Sequence, residues 1–200
     1  MENNTQLKEM IRSMVIDVLQ GQKQEPASSQ PIKQAPRGQV EPGVFDTVDD
    51  AIQAAKAAQA RFEDCTLATR EKVIADIRAT MRPRVQELAQ KTVEETGMGR
   101  VADKVLKLNL TLDKTPGVED LVTECETGDN GMTLYELSAY GVIGAITPST
   151  NPAETLICNS IGMLAAGNAI FFSVHPGAKN LSRELVSELN QVIAKSIGIE

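Results

Sequence analysis

The sequence has no tryptophan, a single histidine and only 3% aromatic residues among its 200. So few aromatic rings leave little surface on which the bases of single-stranded nucleic acid could stack. The formal net charge is −7 and the pI is about 4.9, whereas non-specific binding to nucleic acid needs clustered Lys and Arg. We therefore expect no nucleic-acid partner.

Cysteine is also scarce. The three cysteines, Cys65, Cys125 and Cys158, are far apart, and none belongs to a CxxC pair. An odd number of scattered cysteines builds no disulfide framework, and one histidine is too few for the usual zinc-site patterns. The sequence therefore predicts no metal site and a protein from a reducing compartment.

Long apolar runs are missing, since none approaches the roughly 20 residues that a membrane-spanning helix needs. Charged residues also interrupt the N-terminus, where a secretory signal would have an apolar block. The interrupting residues are Glu2, Lys8, Glu9, Arg12 and Asp17. We expect a soluble protein with no membrane partner.

Residues 1–20 have the spacing of an amphipathic helix. Their apolar side chains recur in steps of three and four, which places them on one face of a helix. That face consists of Leu7, Met10, Ile11, Met14, Val15, Val18 and Leu19. A helix this short is marginal alone in water, so it needs a surface to pack against.

Residues 21–39 are polar and contain three regularly spaced prolines, Pro26, Pro31 and Pro36, which is linker composition. Two interpretations of the preceding helix remain open. It docks on another chain, or it folds back on the core of its own chain. The length and polarity of the linker favour docking on another chain.

Residues 46–117 predict a series of helices. Thr47 with Asp50 three residues later resembles a capping box, which predicts the start of the first helix. Thr69 predicts the start of the second. The later boundaries are predicted at Pro83, Gly97 and 115–117.

Residues 119–129 are acidic but lack the fixed spacing of oxygen ligands that a calcium loop requires, so we expect a solvated loop. Residues 128–131 read Gly-Asp-Asn-Gly and predict a turn. Residues 132–140 follow the turn and partly alternate between apolar and polar, which predicts a strand.

The remaining part of the 132–198 region predicts strand, helix, strand and helix. Residues 141–147 and 169–174 are short apolar runs typical of buried strands, and 153–166 and 181–196 have helical patterns. This alternation is typical of a doubly wound parallel sheet, which binds ligands beyond the carboxyl ends of its strands. Neither loop at those ends has a Gly-rich dinucleotide fingerprint, so these patterns predict only an α/β nucleotide-type fold.

Three segments carry a resemblance to a known family. AYGVIGAITPSTNPAETLICNSIGMLAAGNAIFF followed by SVHPGAKN, and ETGMGRVADKVLKLNLTLDKTPGVEDL before them, resemble the N-terminal half of CoA-acylating aldehyde dehydrogenases. The similarity is greatest to the propionaldehyde and acetaldehyde dehydrogenases of bacterial microcompartments. The N-terminal helix and its Pro-rich linker resemble the encapsulation peptide of that group.

The resemblance implies an α/β, aldehyde-dehydrogenase-like fold, with an N-terminal helical region followed by the first half of a doubly wound parallel NAD-binding sheet over residues 40–200. It implies an oxidoreductase in which a cysteine thiolate attacks a short-chain aldehyde, hydride passes to NAD⁺, and coenzyme A takes the acyl group from the resulting thioester. The nucleophilic cysteine of the family lies beyond Glu200. We therefore expect this chain to be an N-terminal portion that is inactive alone, with Cys158 a buried small hydrophobic residue.

The resemblance also implies site residues in the first loop. Ile146, Thr147, Pro148 and Ser149 match the segment beneath the nicotinamide ribose. The family's usual oxyanion-binding asparagine aligns without gaps to Thr150, and Asn151 follows it. An amide donor suits this role better than a hydroxyl, which favours Asn151 as the oxyanion donor and leaves Thr150 as the second choice. The alternative is that Asn151 caps the following helix.

In the second loop the resemblance places the adenosine ribose near Ser173, His175 and Pro176. Ser173 stands where most aldehyde dehydrogenases have a ribose-binding lysine, a difference shared with the acylating subgroup. It fits a pocket that accepts NAD and the nucleotide part of CoA in turn. The alternative for His175 is an ordinary loop histidine.

The resemblance implies further partners and a location. They are a microcompartment shell protein, further copies of the same chain in a homo-oligomer, and the microcompartment lumen within the bacterial cytoplasm. A second hypothesis is a non-catalytic targeting or assembly module that docks on a shell through its N-terminal helix. A third, the nucleotide-binding domain of another dehydrogenase class, is disfavoured by the missing Gly-rich fingerprint.

Overall fold

A computed structural model describes residues 41–198, so the predicted targeting helix 1–20 and linker 21–39 lie outside the described residues. None of the helices in the described part is both long and apolar enough to cross a membrane. The helices are α1 Val48–Phe62, α2 Leu67–Met81, α3 Val85–Thr96, α4 Val101–Lys114, α5 Pro152–Ala165 and α6 Lys179–Ser196. The strands are β1 Glu124–Gly128, β2 Gly131–Tyr135, β3 Val142–Ile146 and β4 Ala169–Ser173.

Two threonines start the first two helices. The Thr47 hydroxyl accepts the backbone N–H of Asp50 at 3.1 Å, which confirms the predicted start of α1. The predicted start of α2 at Thr69 was wrong by three residues. The Thr66 hydroxyl accepts the N–H of Thr69 at 3.2 Å, so Thr66 is the capping residue and Thr69 lies in the first turn.

Pro83 and Gly97 mark the predicted interruptions. Pro83 lies in a short 3₁₀ turn, Arg82–Arg84, between α2 and α3, where its missing N–H costs no helical hydrogen bond. Gly97 ends α3 in the left-handed conformation, with φ of +67°, which a side chain at Cβ would disfavour.

β1 and β2 form an antiparallel hairpin in which Glu124 is opposite Tyr135 and Gly128 is opposite Gly131. The predicted turn at 128–131 is confirmed, but the loop expected over 119–129 was wrong, because β1 occupies its second half. Every residue of both strands is exposed in the described structure. With no face buried, β1 has no apolar alternation by which its sequence would predict a strand.

β3 and β4 lie side by side and parallel, with Val142 opposite Ala169 and Ile146 opposite Ser173. This confirms the predicted pairing, with α5 as the connection between the strands. The pairing continues one step further, since the Thr147 N–H donates to the Ser173 carbonyl at 3.0 Å. The loops that follow the two strands therefore begin next to each other.

The core is built around α5. This helix packs against α2, α4, α6 and β4, and most of its residues are buried. Burying a large aliphatic side chain contributes about 1.5–3 kcal/mol, so α5 has a well-determined position. Its fully buried large side chains are Leu156, Ile157 and Ile161. The loop that enters α5 is consequently held at a fixed place against α4.

Candidate functional site

The carboxyl ends of β3 and β4 form one open edge. Ile146, the last residue of β3, is 87% exposed although it is apolar, and Ser173, the last residue of β4, is also exposed. Thr147 follows Ile146 and is buried at 2% exposure. The edge therefore presents the apolar Ile146 side chain and the Ser173 hydroxyl beside each other. The backbone below them is fixed by the hydrogen bond between Thr147 and Ser173.

Most of the predicted site residues in the two loops are exposed. Pro148, Thr150 and Pro176 are exposed, and Ser149 is half-buried. Within residues 41–198 no hydrogen bond joins the side chains of the first loop to those of the second. The structure thus places both groups of predicted site residues at one edge of the sheet without linking them directly.

Asn151 occupies the N-cap position of α5, but its side chain does not cap the helix. Its Oδ1 instead accepts hydrogen bonds from Lys104 Nζ at 3.1 Å and Lys107 Nζ at 3.2 Å, both from α4. The side-chain capping role considered for Asn151 is therefore wrong. A proline at the first position of the helix lacks an N–H and so reduces the need for a cap.

The two lysines determine which way the Asn151 amide faces. An ammonium group only donates hydrogen bonds, so the atom that faces both lysines must be the amide oxygen. The Nδ2 atom, with its two N–H groups, is on the other side and has no hydrogen-bond partner among residues 41–198. Asn151 therefore offers an oriented donor, whereas the exposed Thr150 side chain has no hydrogen bond within the described part of the chain to hold it.

Lys104 is a site residue that the sequence analysis missed. It is 3% exposed, and its Nζ donates to the Thr150 carbonyl and to Asn151 Oδ1. It also lies 3.4 Å from Oε1 of Glu154, which is 7% exposed and whose carboxylate oxygens have no hydrogen-bond partner in the described structure. A buried charge without a counter-charge is strongly unfavourable, so each residue stabilises the other.

A pattern in the sequence indicates that Lys104 is a buried charge. It stands three residues after Val101 and four before Leu108, on the apolar face of α4 that also includes Leu112. Glu154 similarly interrupts the buried face of α5. A lysine and a glutamate on buried faces of two helices that pack together predict a buried ion pair.

His175 has a local role in the second loop. Its Nδ1 accepts the backbone N–H of Gly177 at 3.0 Å and caps the 3₁₀ turn Pro176–Ala178. This bond requires a lone pair on Nδ1, so a neutral ring carries its proton on Nε2. The observation fits the interpretation of His175 as a loop histidine and leaves its Nε2–H available at the exposed edge.

The three cysteines are free and differ in exposure. Cys158 is exposed, so the expectation that it is buried was wrong. The helical pattern of α5 predicts burial for its neighbours Leu156 and Ile157, and Cys158 falls on the outer face of the same turn. Cys125 is exposed and Cys65 is half-buried. Among the described residues no three His, Cys, Asp or Glu side chains are grouped as a metal site would require.

The sequence is similar to proteins of known activity. A propanal dehydrogenase (CoA-propanoylating) of Salmonella typhimurium is 45% identical over 197 residues, which are 98% of this chain and 40% of the relative. The acetylating acetaldehyde dehydrogenase EutE of Escherichia coli is 46% identical over 160 residues, 80% of this chain and 34% of the relative. The chain thus spans about 40% or less of the length of these relatives.

The structure is similar to solved members of the same group. Rhodopseudomonas palustris propionaldehyde dehydrogenase with bound propionyl-CoA has a TM-score of 0.75 at 48% identity, over 77% of this chain and 34% of that one. A propionaldehyde dehydrogenase from the fucose utilisation microcompartment of Clostridium phytofermentans has a TM-score of 0.72 at 49% identity, over 78% and 35%. The model of the aldehyde dehydrogenase family matches residues 19–191. The chain, with its helical region and parallel strand pair, therefore belongs to the aldehyde dehydrogenase family.

Proposed function

We propose that the protein containing this chain oxidises a short-chain aldehyde with NAD⁺ and transfers the acyl group to coenzyme A, through a thioester on a cysteine outside these 200 residues. The observation that carries the proposal is the open edge of β3 and β4, with Asn151 five residues after the end of β3 and its Nδ2 oriented and without a hydrogen-bond partner among residues 41–198. The names of the similar proteins support the reaction, since these are CoA-propanoylating and acetylating enzymes.

The edge fits the nucleoside parts of a dinucleotide. Exposed Ile146 offers an apolar surface for a ribose or nicotinamide ring, and exposed Ser173 offers its hydroxyl to a ribose. The N-terminus of α6, where a phosphate would otherwise be favoured, is already occupied by the carboxylate of Glu95. We therefore assign riboses rather than the pyrophosphate to these residues. When bound, the nicotinamide supplies the hydride acceptor.

The two loops have different roles in this proposal. Thr147, Pro148 and Ser149 lie beneath the nicotinamide ribose, and Asn151 donates to the oxyanion that develops on the aldehyde oxygen when the thiolate adds to the carbonyl carbon. Ser173, His175 and Pro176 contact the adenosine ribose of NAD and later the nucleotide part of CoA. One similar structure contains NADP⁺ and another contains propionyl-CoA, which supports a site that accepts both nucleotides.

The test is an assay of the longest polypeptide encoded by the reading frame that contains these residues. NADH formation is followed with propionaldehyde and NAD⁺, with and without CoA. We expect sustained turnover only with CoA, and propionyl-CoA as the product. The matched control is the 200-residue chain alone, for which we expect no turnover. NADH formation by the complete polypeptide without thioester product would contradict the proposal.

We also propose that residues 1–20 direct the protein into a bacterial microcompartment by docking on a shell protein, and that the complete protein is a homo-oligomer. One similar solved structure comes from a microcompartment, which supports this location. The chain's similarity to catalytic enzymes disfavours the alternative in which it is only a targeting or assembly module.

A further inference from the structure

We propose that buried Lys104 is a positioning residue that sets the orientation of the Asn151 amide for catalysis, with Glu154 as its counter-charge. The inference depends on the proposed function, because it assigns Asn151 the oxyanion-donor role. Lys104 lies on α4 and Glu154 lies on α5. Neither residue belongs to the predicted loop motif or to the edge formed by β3 and β4.

The geometry around Lys104 Nζ leaves it little freedom. An ammonium group has three N–H donors. Three oxygens surround it, all from one short segment of chain: the Thr150 carbonyl, Asn151 Oδ1 at 3.1 Å and Glu154 Oε1 at 3.4 Å. One side chain from α4 thereby fixes the backbone before Asn151, the amide of Asn151 and the first turn of α5.

Burial separates Lys104 from Lys107. Lys107 also donates to Asn151 Oδ1, at 3.2 Å, but it is exposed and its charge is solvated. Lys104 is 3% exposed, so water does not solvate its ammonium group if that group leaves these three oxygens. We therefore assign the orientation of the amide mainly to Lys104, and expect Lys107 to contribute less.

An oriented amide matters for the reaction more than for binding. A donor accelerates a reaction when it already points to where charge develops, because no reorganisation is then needed in the transition state. With Lys104 removed, the exposed Lys107 remains as the donor to Asn151 Oδ1 among residues 41–198, and it holds the amide less firmly. The amide then turns its oxygen towards the substrate in part of the molecules, where it would repel a developing oxyanion. Loss of Lys104 should consequently lower kcat and leave the KM for NAD⁺ nearly unchanged.

The experiment uses the complete polypeptide and replaces both charges together, as Lys104→Met with Glu154→Gln, so that no unpaired charge is buried. We expect kcat to fall by at least about tenfold and by no more than the roughly 10²–10³-fold typical of losing an oxyanion donor. Lys107→Met should change kcat by less than about threefold, since its bond is exposed. Lys91→Met with Glu184→Gln, a half-exposed Lys–Glu pair at 2.7 Å, is the matched control and should leave kcat unchanged.

The decisive measurement repeats the Lys104 and Glu154 replacement in an Asn151→Ala background. If Lys104 acts through Asn151, the replacement should there change kcat by less than about twofold. A further tenfold loss in that background would show that Lys104 acts otherwise and would overturn the inference, as would an unchanged kcat in the folded paired variant. Should the paired variant not fold, Lys104→Arg is used instead, because it keeps the charge but not the three-donor geometry of the ammonium group. Its effect on kcat is measured with and without Asn151→Ala in the same way. An unsubstituted polypeptide without turnover would instead overturn the proposed function itself.

Discussion

The carboxylate of Glu95, near the end of α3, accepts the backbone N–H of Leu181 at 2.8 Å. Its second oxygen accepts the N–H of Asn180 at the same distance. These two N–H groups belong to the first turn of α6, where helical N–H groups have no partner within the helix and the helix dipole favours negative charge. Glu95 therefore caps a helix that begins 84 residues later in the chain, at Lys179, where the N-cap residue Ala178 provides no side-chain cap.

We predict that Glu95→Ala lowers the free energy of unfolding by about 1–2 kcal/mol, because the exposed N–H of Asn180 and the half-buried N–H of Leu181 lose their acceptor and the dipole loses its counter-charge. Urea denaturation of the chain measures the change. Glu94→Ala, an exposed neighbour on the same helix, is the control and should change stability by less than about 0.5 kcal/mol. Equal effects of the two substitutions would contradict the capping role.

A second prediction concerns the acid range and Glu87. The Arg84 guanidinium and then the Lys91 ammonium hydrogen-bond its carboxylate, and they lower the pKa of Glu87 from 4.5 to about 2. A carboxylate with a lowered folded-state pKa stabilises the fold above about pH 4.5, and this contribution is lost as the pH falls towards 2. The Glu87 side chain is 48% exposed, so solvent screening limits the contribution to about 0.2–1 kcal/mol.

Unfolding free energies at pH 7 and near pH 2 test this. Glu87→Gln should be less stable than the unsubstituted chain at pH 7, and the difference should shrink as the pH falls towards 2, where the folded-state carboxylate of Glu87 becomes about half protonated. Glu71→Gln removes an exposed carboxylate that has no ion pair among the described residues, and it should show no such pH-dependent difference. A constant difference across the pH range would refute the electrostatic origin.

A third prediction tests the oxyanion donor. Asn151→Ala in the complete polypeptide should lower kcat by about 10²–10³-fold, equivalent to about 2.7–4 kcal/mol, because the lost donor acts in the transition state. Thr150→Ala is the matched control on the adjacent residue and should retain most of the turnover. If the effects were exchanged, Thr150 would be the donor, and if Asn151→Ala only lowered the melting temperature, its role would be structural.

A fourth prediction concerns Ser173 and NAD⁺. One neutral hydrogen bond contributes about 0.5–1.5 kcal/mol, so Ser173→Ala should raise the dissociation constant of NAD⁺ by about tenfold at most. Isothermal titration of the complete polypeptide measures this constant. Ser149→Ala, in the other loop, serves for comparison. A rise of a hundredfold or more would mean that Ser173 does more than donate a single hydrogen bond to a ribose.

A fifth prediction concerns the N-terminal segment. Residues 1–20 fused to a fluorescent protein should gather in puncta in bacteria that make microcompartments, because the apolar face needs a surface to cover it. The variant with Leu7, Ile11 and Val15 each changed to Glu should give diffuse fluorescence. Diffuse fluorescence from both fusions would remove the targeting role.

The sequence predicted those features that depend on neighbours along the chain. Thr47 and Asp50 are three residues apart, and their hydrogen bond starts α1 as the capping-box pattern indicates. The apolar runs of β3 and β4 predicted the two strands and their parallel pairing, which the structure confirms. The burial predicted for them was wrong in the described structure, where Ala145 and Ala169 are buried and the other residues of the two strands are half-buried or exposed. Together with the loop motifs, these local patterns were enough to indicate the fold and the family.

Only the tertiary structure decided the contacts between distant parts of the chain. Lys104 meets Asn151 across 47 residues, and Glu95 meets Leu181 across 86, so no local pattern contains either pair. β1 was missed because its strand exists through pairing with β2 and not through a buried face. The sequence by itself thus determines which residue types the site contains. The orientation of the Asn151 amide follows from the packing of α4 against α5, because this packing brings the buried charge of Lys104 to the Thr150 and Asn151 oxygens.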